Sequence, residues 1–303
     1  MSDMINNTAA TPVDTKKVRH VKRFWGMKGG EWIVFFVCII FAVICLFPLW
    51  IMFMNATRSA SEILRAGGFD ALVPSTYLFD NIGKLFSDDQ VNVLRGFVNS
   101  LIISLGSTFL CVYFSALTAY GFVGYNFKFK PALFAILLAS MLIPGQLGMI
   151  GWFQLVTDLN LYDTWIPLII PAIASSTTVF FLKQYFEASF SKDIIEAARI
   201  DGSSEFGTFN RIIIPISVPA LATMAIFSFV YSWNNYMGPL MILSSKELAT
   251  LPMEIANLKA STHDIDYGAM YVGLVISVLP LIIIYLAFSK FIIGGLTLGS
   301  VKE

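Results

Sequence analysis

The chain has 303 residues, of which 56 % are hydrophobic and only 13 % charged, with 20 Lys and Arg balancing 20 Asp and Glu. A soluble domain carries about a quarter charged residues, so this composition and a mean hydropathy of +0.73 exclude an ordinary soluble globular protein. The zero net charge also removes the electrostatic footprint of a nucleic-acid binder.

Residues 1–30 are polar and aperiodic and carry Lys16, Lys17, Arg19, Lys22, Arg23 and Lys28. They predict a basic cytoplasmic tail lying near anionic headgroups, not a cleaved signal peptide. Six charge-free stretches follow: Trp32 to Thr57, Gly96 to Phe127, Pro131 to Thr157, Thr164 to Leu182, Ile212 to Ser245 and Tyr267 to Ser289. Each is compatible with the ~20 apolar residues of a spanning helix, and continuous runs of this kind are not the short alternating segments of a barrel. The expected fold class is therefore an all-α integral membrane protein, with residues 31–293 forming six transmembrane helices. With an even number of spans both termini share a side. That side holds 14 of the 20 Lys and Arg, against Arg58, Arg65, Lys84, Arg95, Lys246 and Lys259 on the other, so both termini are expected in the cytoplasm.

Between the first two spans, residues 58–95 contain Gly67-Gly68 and Pro74 and are long enough to hold short helices outside the membrane. Cys38, Cys45 and Cys111 all fall inside spans and read as small packing residues; the sequence offers no disulfide framework, metal set or cofactor motif. Prolines in or beside the spans free backbone carbonyls and can kink them. No Lys, Arg, Asp, Glu or His lies within the six charge-free stretches, which removes the usual machinery of proton- or ion-coupled transport. Gly83-Lys84 is followed by Leu85, so no phosphate-cradling Gly-x4-Gly-Lys-(Ser/Thr) loop is present either.

The polar connector at about 190–215, on the cytoplasmic side, carries the sharpest signal. Asp193 can cap a helix and Glu196 can reach back to it. Ala197 and Ala198 keep the helix while presenting little side chain to a partner, and Gly202 supplies the conformation that ends it. Ser203 or Ser204 can cap a second short helix before Pro215 and Pro219 lead into the next span. In that span Tyr231, Trp233, Asn234, Asn235 and Tyr236 cluster rings and amides suited to a neutral, hydroxyl-rich solute. The competing reading is an interfacial aromatic belt with asparagines bonding neighbouring helices. Asn99 is a further candidate for the path, with helix packing as its alternative.

Glu196-Ala197-Ala198, three residues, Gly202, nine residues, then Ile212-Ile213-Ile214-Pro215 resembles the cytoplasmic coupling loop of binding-protein-dependent ABC importer permeases, with Ile214 where Leu is usual. About nine-tenths of the chain is similar to the carbohydrate branch of that family, specifically the maltose-type subunit. The similarity includes Phe97 to Leu101, Asn160 to Thr164, Tyr231 to Tyr236, Thr250-Leu251-Pro252 and the tail Gly294 to Lys302, with Glu303 departing from the usual Gly. The resemblance implies a subunit that is not itself an enzyme and works with a second permease, a pair of ATPase subunits and an external solute-binding protein to import a carbohydrate. It assigns coupling to Glu196, Ala197, Ala198, Asp201, Gly202, Ile212 and Pro215. In the cytoplasmic tail 294–303 it assigns an ATPase contact to Gly299 and Lys302. A stand-alone secondary carrier or facilitator is the alternative.

Overall fold

The computed structural model describes residues 29–65, 67–89, 91–260 and 266–298. Two compact units divide at Leu49/Trp50. The first is the apolar body of α1 (Gly29–Ala56), whose last turns from Trp50 belong to the second unit. Pro48 sits inside α1 without breaking it.

The connector expected to hold short helices does so: α2 (Ala60–Arg65), a 3-10 turn at Gly68–Leu72 and α3 (Leu78–Ser87). Fully buried Asn81 of α3 anchors this region, its Nδ2 donating to the carbonyls of Ala56 at 2.9 Å and Arg58 at 2.8 Å. The central element is α4 (Val93–Gly124), capped by Asn92, whose side chain accepts from the Arg95 amide. It packs along both α8 (Ser176–Ser189) and α12 (Val218–Trp233). Its buried face is rich in small hydroxylated residues, Ser100, Ser104, Ser107 and Ser115, which let helix backbones approach closely.

Two of the six expected spans, the third and the fifth, are sharply bent. The third is α5 (Lys130–Met141), a 3-10 turn at Gly145–Gly148 and α6 (Met149–Asp158), bent by 90° around Leu142 to Pro144. Pro144 cannot continue a helical hydrogen-bond ladder, and it disfavours helical backbone at Ile143 before it. The fourth is longer than the charge-free stretch. It comprises α7 (Ile166–Ile169), a 3-10 turn at Ile170–Ile173 and α8, running from Ile166 to Ser189. Lys183 thereby falls within it, ion-paired to Glu187 at 2.7 Å and lying 4.4 Å above the Phe134 ring.

Helices α9 (Lys192–Ile200) and α10 (Glu205–Thr208) form the loop region. A π-helical turn at Phe209–Ile213 and α11 (Ile214–Ile216) lead to α12 through an 83° bend at Ser217. Beyond α12 lie α13 (Met237–Ile242), a 3-10 turn at Lys246–Leu248, α14 (Leu251–Ala260) and α15 (Tyr267–Leu298). The last helix runs past Gly294 and Gly295 to Leu298, beyond the apolar span that ends at Ser289. Gly299 and Lys302 lie outside the described residues. Four helices are long and apolar enough to cross a membrane, or six crossings if each bent pair counts as one, and no strand occurs among the described residues. The protein is an all-α membrane protein.

One turn is held from a distance. Asp163, in the left-handed region at φ 57°, accepts from the amides of Ser244 at 2.8 Å and Ser245 at 3.0 Å and from the Ser245 hydroxyl. These bonds, the Ser245 hydroxyl foremost, hold its carboxyl below the usual carboxylate range.

Candidate functional site

The coupling-loop residues are brought together as a hairpin of two short helices. Ser191, not Asp193, caps α9: its hydroxyl accepts from the Asp193 amide at 3.1 Å and donates to the Asp193 carboxylate. Both residue types cap well; Ser191 stands in extended backbone outside the helix, while Asp193 already lies in the first turn, favourably near the positive end of the helix dipole. Gly202 ends α9 at φ +76° in a Schellman arrangement, with its amide bonded to Arg199 O at 3.0 Å and the Ser203 amide to Ala198 O at 2.9 Å. Ser204 then caps α10, accepting from the Gly207 amide at 3.1 Å.

The faces of α9 differ. Ile195 is 2 % and Ala198 4 % exposed, and Ile195 joins Phe209, Ile213, Tyr120 and Leu182 in one buried cluster. Glu196, Ala197, Asp201 and Gly202 face outward. The expectation that both alanines offer a small surface to a partner is therefore corrected: Ala198 is small because it packs inward, and Ala197 is the alanine a partner can reach. Ile212 is half-buried and Pro215 exposed at the bend.

Sequence reading missed two features of this loop. Ile200 is 86 % and Phe206 64 % exposed, apolar knobs on the two helices of the hairpin. A polar clamp also ties the loop to α4. Arg199 Nε donates to Glu205 Oε1 at 2.8 Å, Tyr120 Oη donates to Glu205 Oε2 at 3.0 Å, and the Arg199 guanidinium lies 5.3 Å from the Tyr125 ring centroid. The Arg199 guanidinium above all, with Tyr125 and Tyr120, holds the Glu205 carboxyl below its usual range. Burial, then the nearby carboxylate, pushes the Tyr125 phenol up. Arg199 and Glu205 straddling a helix-ending glycine is a local signal that a sequence carries. Tyr120, 85 residues away, has no such signal.

The cluster in the fifth span separates into two groups. Trp233 is 2 % exposed, stacked on Phe229, edge-on to Phe97, and donates from Nε1 to Ser277 O at 2.9 Å. It fills a helix interface. Asn99 is likewise buried, its Nδ2 donating to the carbonyls of Glu247 and Ala249, both at 2.8 Å. Asn235 is half-buried and accepts from the Gly238 amide at 3.2 Å, while Tyr236 packs beside Ile242 and Val156. Asn234 is exposed, and so is Tyr231, at 80 %.

The family model described as binding-protein-dependent transport system inner membrane component matches residues 111–296. The arabinooligosaccharides transport system permease protein AraQ of Bacillus subtilis is 37 % identical over 261 residues, 86 % of this chain and 92 % of that protein. The lactose transport system permease protein LacG of Rhizobium radiobacter is 31 % identical over the same shares of each chain. Among solved structures, a bacterial ABC transporter involved in import of the acidic polysaccharide alginate superposes with a TM-score of 0.75 at 21 % identity. That match covers 88 % of this chain and 99 % of that one, a likeness of fold.

Proposed function

Because the chain belongs to the family of binding-protein-dependent transport system inner membrane components, we infer that it is the permease subunit of an ATP-driven importer of sugars or oligosaccharides. It forms half of the translocation pathway and is not itself an enzyme. The observation that carries the coupling role is the rigid hairpin from Ser191 to Thr208, seated on the core through Ile195, Phe209 and Ile213 while exposing Ala197, Ile200 and Phe206. Exposed apolar side chains on a polar loop suit a partner protein's cleft. The occupant of this loop is an ATPase subunit, with Glu196, Asp201 and Gly202 at the contact, Ile212 and Pro215 at the bend behind it, and Gly299 and Lys302 as a second contact.

The carbohydrate class rests on the relatives named for arabino-oligosaccharides and lactose. The companions are a second, different permease, an ATPase dimer and an extracytoplasmic solute-binding protein. The chain lies in the cytoplasmic membrane with both termini inside. ATP-driven closure of the motor brings the two permeases' coupling loops together and opens the far side to the loaded binding protein; hydrolysis resets the inward-facing state.

The test is a cysteine at Ala197 in a gently solubilised native membrane. Crosslinking to a co-purifying ATPase is the expected result. Sugar uptake by this chain alone in liposomes, without ATP, would instead establish the stand-alone carrier.

A further inference from the structure

The fifth crossing is interrupted deep in the protein. Helix α12 stops at Trp233, residues 234–236 are not helical, and α13 resumes at Met237. Two contacts fix the depth of the break. Ser232 Oγ donates to Ser107 Oγ at 3.5 Å, and Trp233 Nε1 donates to Ser277 O at 2.9 Å. At about 1.5 Å per residue, Ser107 lies roughly 20 Å from the Val93 end of α4 and Ser277 roughly 15 Å from the Tyr267 end of α15. The break is therefore near the middle of both neighbouring helices.

At that depth the chain leaves polar groups open. The Gly238 amide bonds to Asn235 Oδ1, and Pro239 has no N–H, so the carbonyls of Asn234 and Asn235 lack their helical donors. Asn234 Nδ2 donates to Val230 O at 2.9 Å, which leaves its Oδ1 as an acceptor. The Tyr231 hydroxyl has no hydrogen-bond partner among the described residues. Phe227, Tyr231 and Asn234 recur at helical spacing on one face, the first two 60 % and 80 % exposed and Asn234 exposed too. Non-helical backbone and an open amide are costly against lipid tails and are tolerated at membrane depth where they line a wet cavity or protein. A face of this kind meets protein or a wet cavity and not lipid tails, and Trp233 lies buried behind it at the helix interface.

We propose that Tyr231, Asn234 and the carbonyls of Asn234 and Asn235 form a sugar subsite midway along the path, with Phe227 extending its aromatic wall. The proposal rests on the importer reading above and gives this subunit a direct share in solute contact. The ring face of Tyr231 stacks on the C–H face of a sugar; its hydroxyl and the amide and carbonyl oxygens bond the sugar's hydroxyls. Residues 212–245 contain no Lys or Arg, so the subsite takes a neutral sugar ring rather than a uronate.

The experiment uses the complete transporter in proteoliposomes, with its companion permease, ATPase subunits and binding protein. Labelled arabinotriose, lactose, maltotriose and an alginate trisaccharide are offered, and sugar delivered per ATP hydrolysed is measured. Tyr231→Phe and Asn234→Ala are each expected to lower that ratio about three- to tenfold for the neutral sugar carried, one hydrogen bond's worth, at unchanged complex yield and melting temperature. Trp233→Phe should lower melting temperature and leave the ratio intact. An unchanged ratio in both path variants overturns the subsite, as does a ratio that falls only in step with yield. Uptake of the alginate trisaccharide alone overturns the neutral-sugar assignment while leaving the importer standing. ATP-independent uptake, or none of any sugar, overturns the importer reading beneath it.

Discussion

Arg199 and Glu205 meet at 2.8 Å across the Gly202 turn, and the same carboxylate accepts from Tyr120 at the end of α4. One side chain thus joins both helices of the loop hairpin to the central membrane helix. A force applied to α9 reaches α4 through a polar clamp as well as through the apolar seat of Ile195.

Glu205→Gln keeps the shape of this junction and removes its charge. Both partners of the pair are about two-fifths exposed, where solvent screening makes an ion pair worth little to stability, so melting temperature and complex yield should change little. Sugar delivered per ATP should fall. Glu205 has its carboxyl pKa depressed in the folded protein, so its contribution is complete above its ordinary value of 4.5 and is lost as pH falls through the lowered one. The difference in loop protection between wild type and variant, read by hydrogen exchange, should hold steady from about pH 7 to about pH 5 and shrink only as pH falls below the ordinary value of 4.5. A difference that does not vary with pH would show that the carboxylate is not what holds the loop.

The two alanines of the loop should respond oppositely to bulk. Ala198→Leu forces a larger side chain into a site only 4 % exposed and should cost about 1–3 kcal/mol by overpacking, seen as lower melting temperature and yield. Ala197→Leu points outward and should leave folding intact while reducing ATPase co-purification. If Ala198→Leu folds normally and loses only the ATPase, the inward seating of Ala198 is wrong.

Orientation can be read with reporter fusions. A fusion after Lys302 and an insertion beside Ser203 should both report the cytoplasmic side, following the 14 to 6 distribution of Lys and Arg. An external signal from either would put the loop out of reach of an ATPase.

Much of this was legible in the sequence where the governing physics is local. The capped loop helix, the glycine that ends it and a serine cap on its successor depend on a few adjacent residues, and Gly202 and Ser204 stand where the chain needs them. Pro144 marked a site where the third span could kink, but the size of the 90° bend there was not legible, because one apolar run covers both of its arms and hydropathy carries no direction. Trp233 and Tyr231 illustrate the same limit. In a helix apolar on every side, residue type does not say which ring turns toward Ser277 and which is left open. The grip of Asp163 on Ser244 and Ser245 and that of Tyr120 on Glu205 each join segments about eighty residues apart, and no local pattern announces such pairs.

Gly268 offers the sharpest test of the packing. A Cβ there would lie 2.5–2.6 Å from Oδ1, Cγ and Nδ2 of Asn81, inside any tolerable contact. Asn81 cannot withdraw cheaply, because it is fully buried and its Nδ2 donates to the carbonyls of both Ala56 and Arg58. Losing those bonds leaves buried acceptors unpaired, at about 1–3 kcal/mol each. Gly268→Ala should therefore lower the melting temperature and yield, even though Ala is the better helix former by about 1 kcal/mol. Asn81→Ala should also destabilise, by removing the amide that holds the connector to the end of α1. The two changes touch the same atoms, so their costs should not add: in the Asn81→Ala background the clash is gone, and Gly268→Ala should become neutral or slightly stabilising. Equal costs for Gly268→Ala in both backgrounds would mean that the glycine is required by something other than the amide facing it.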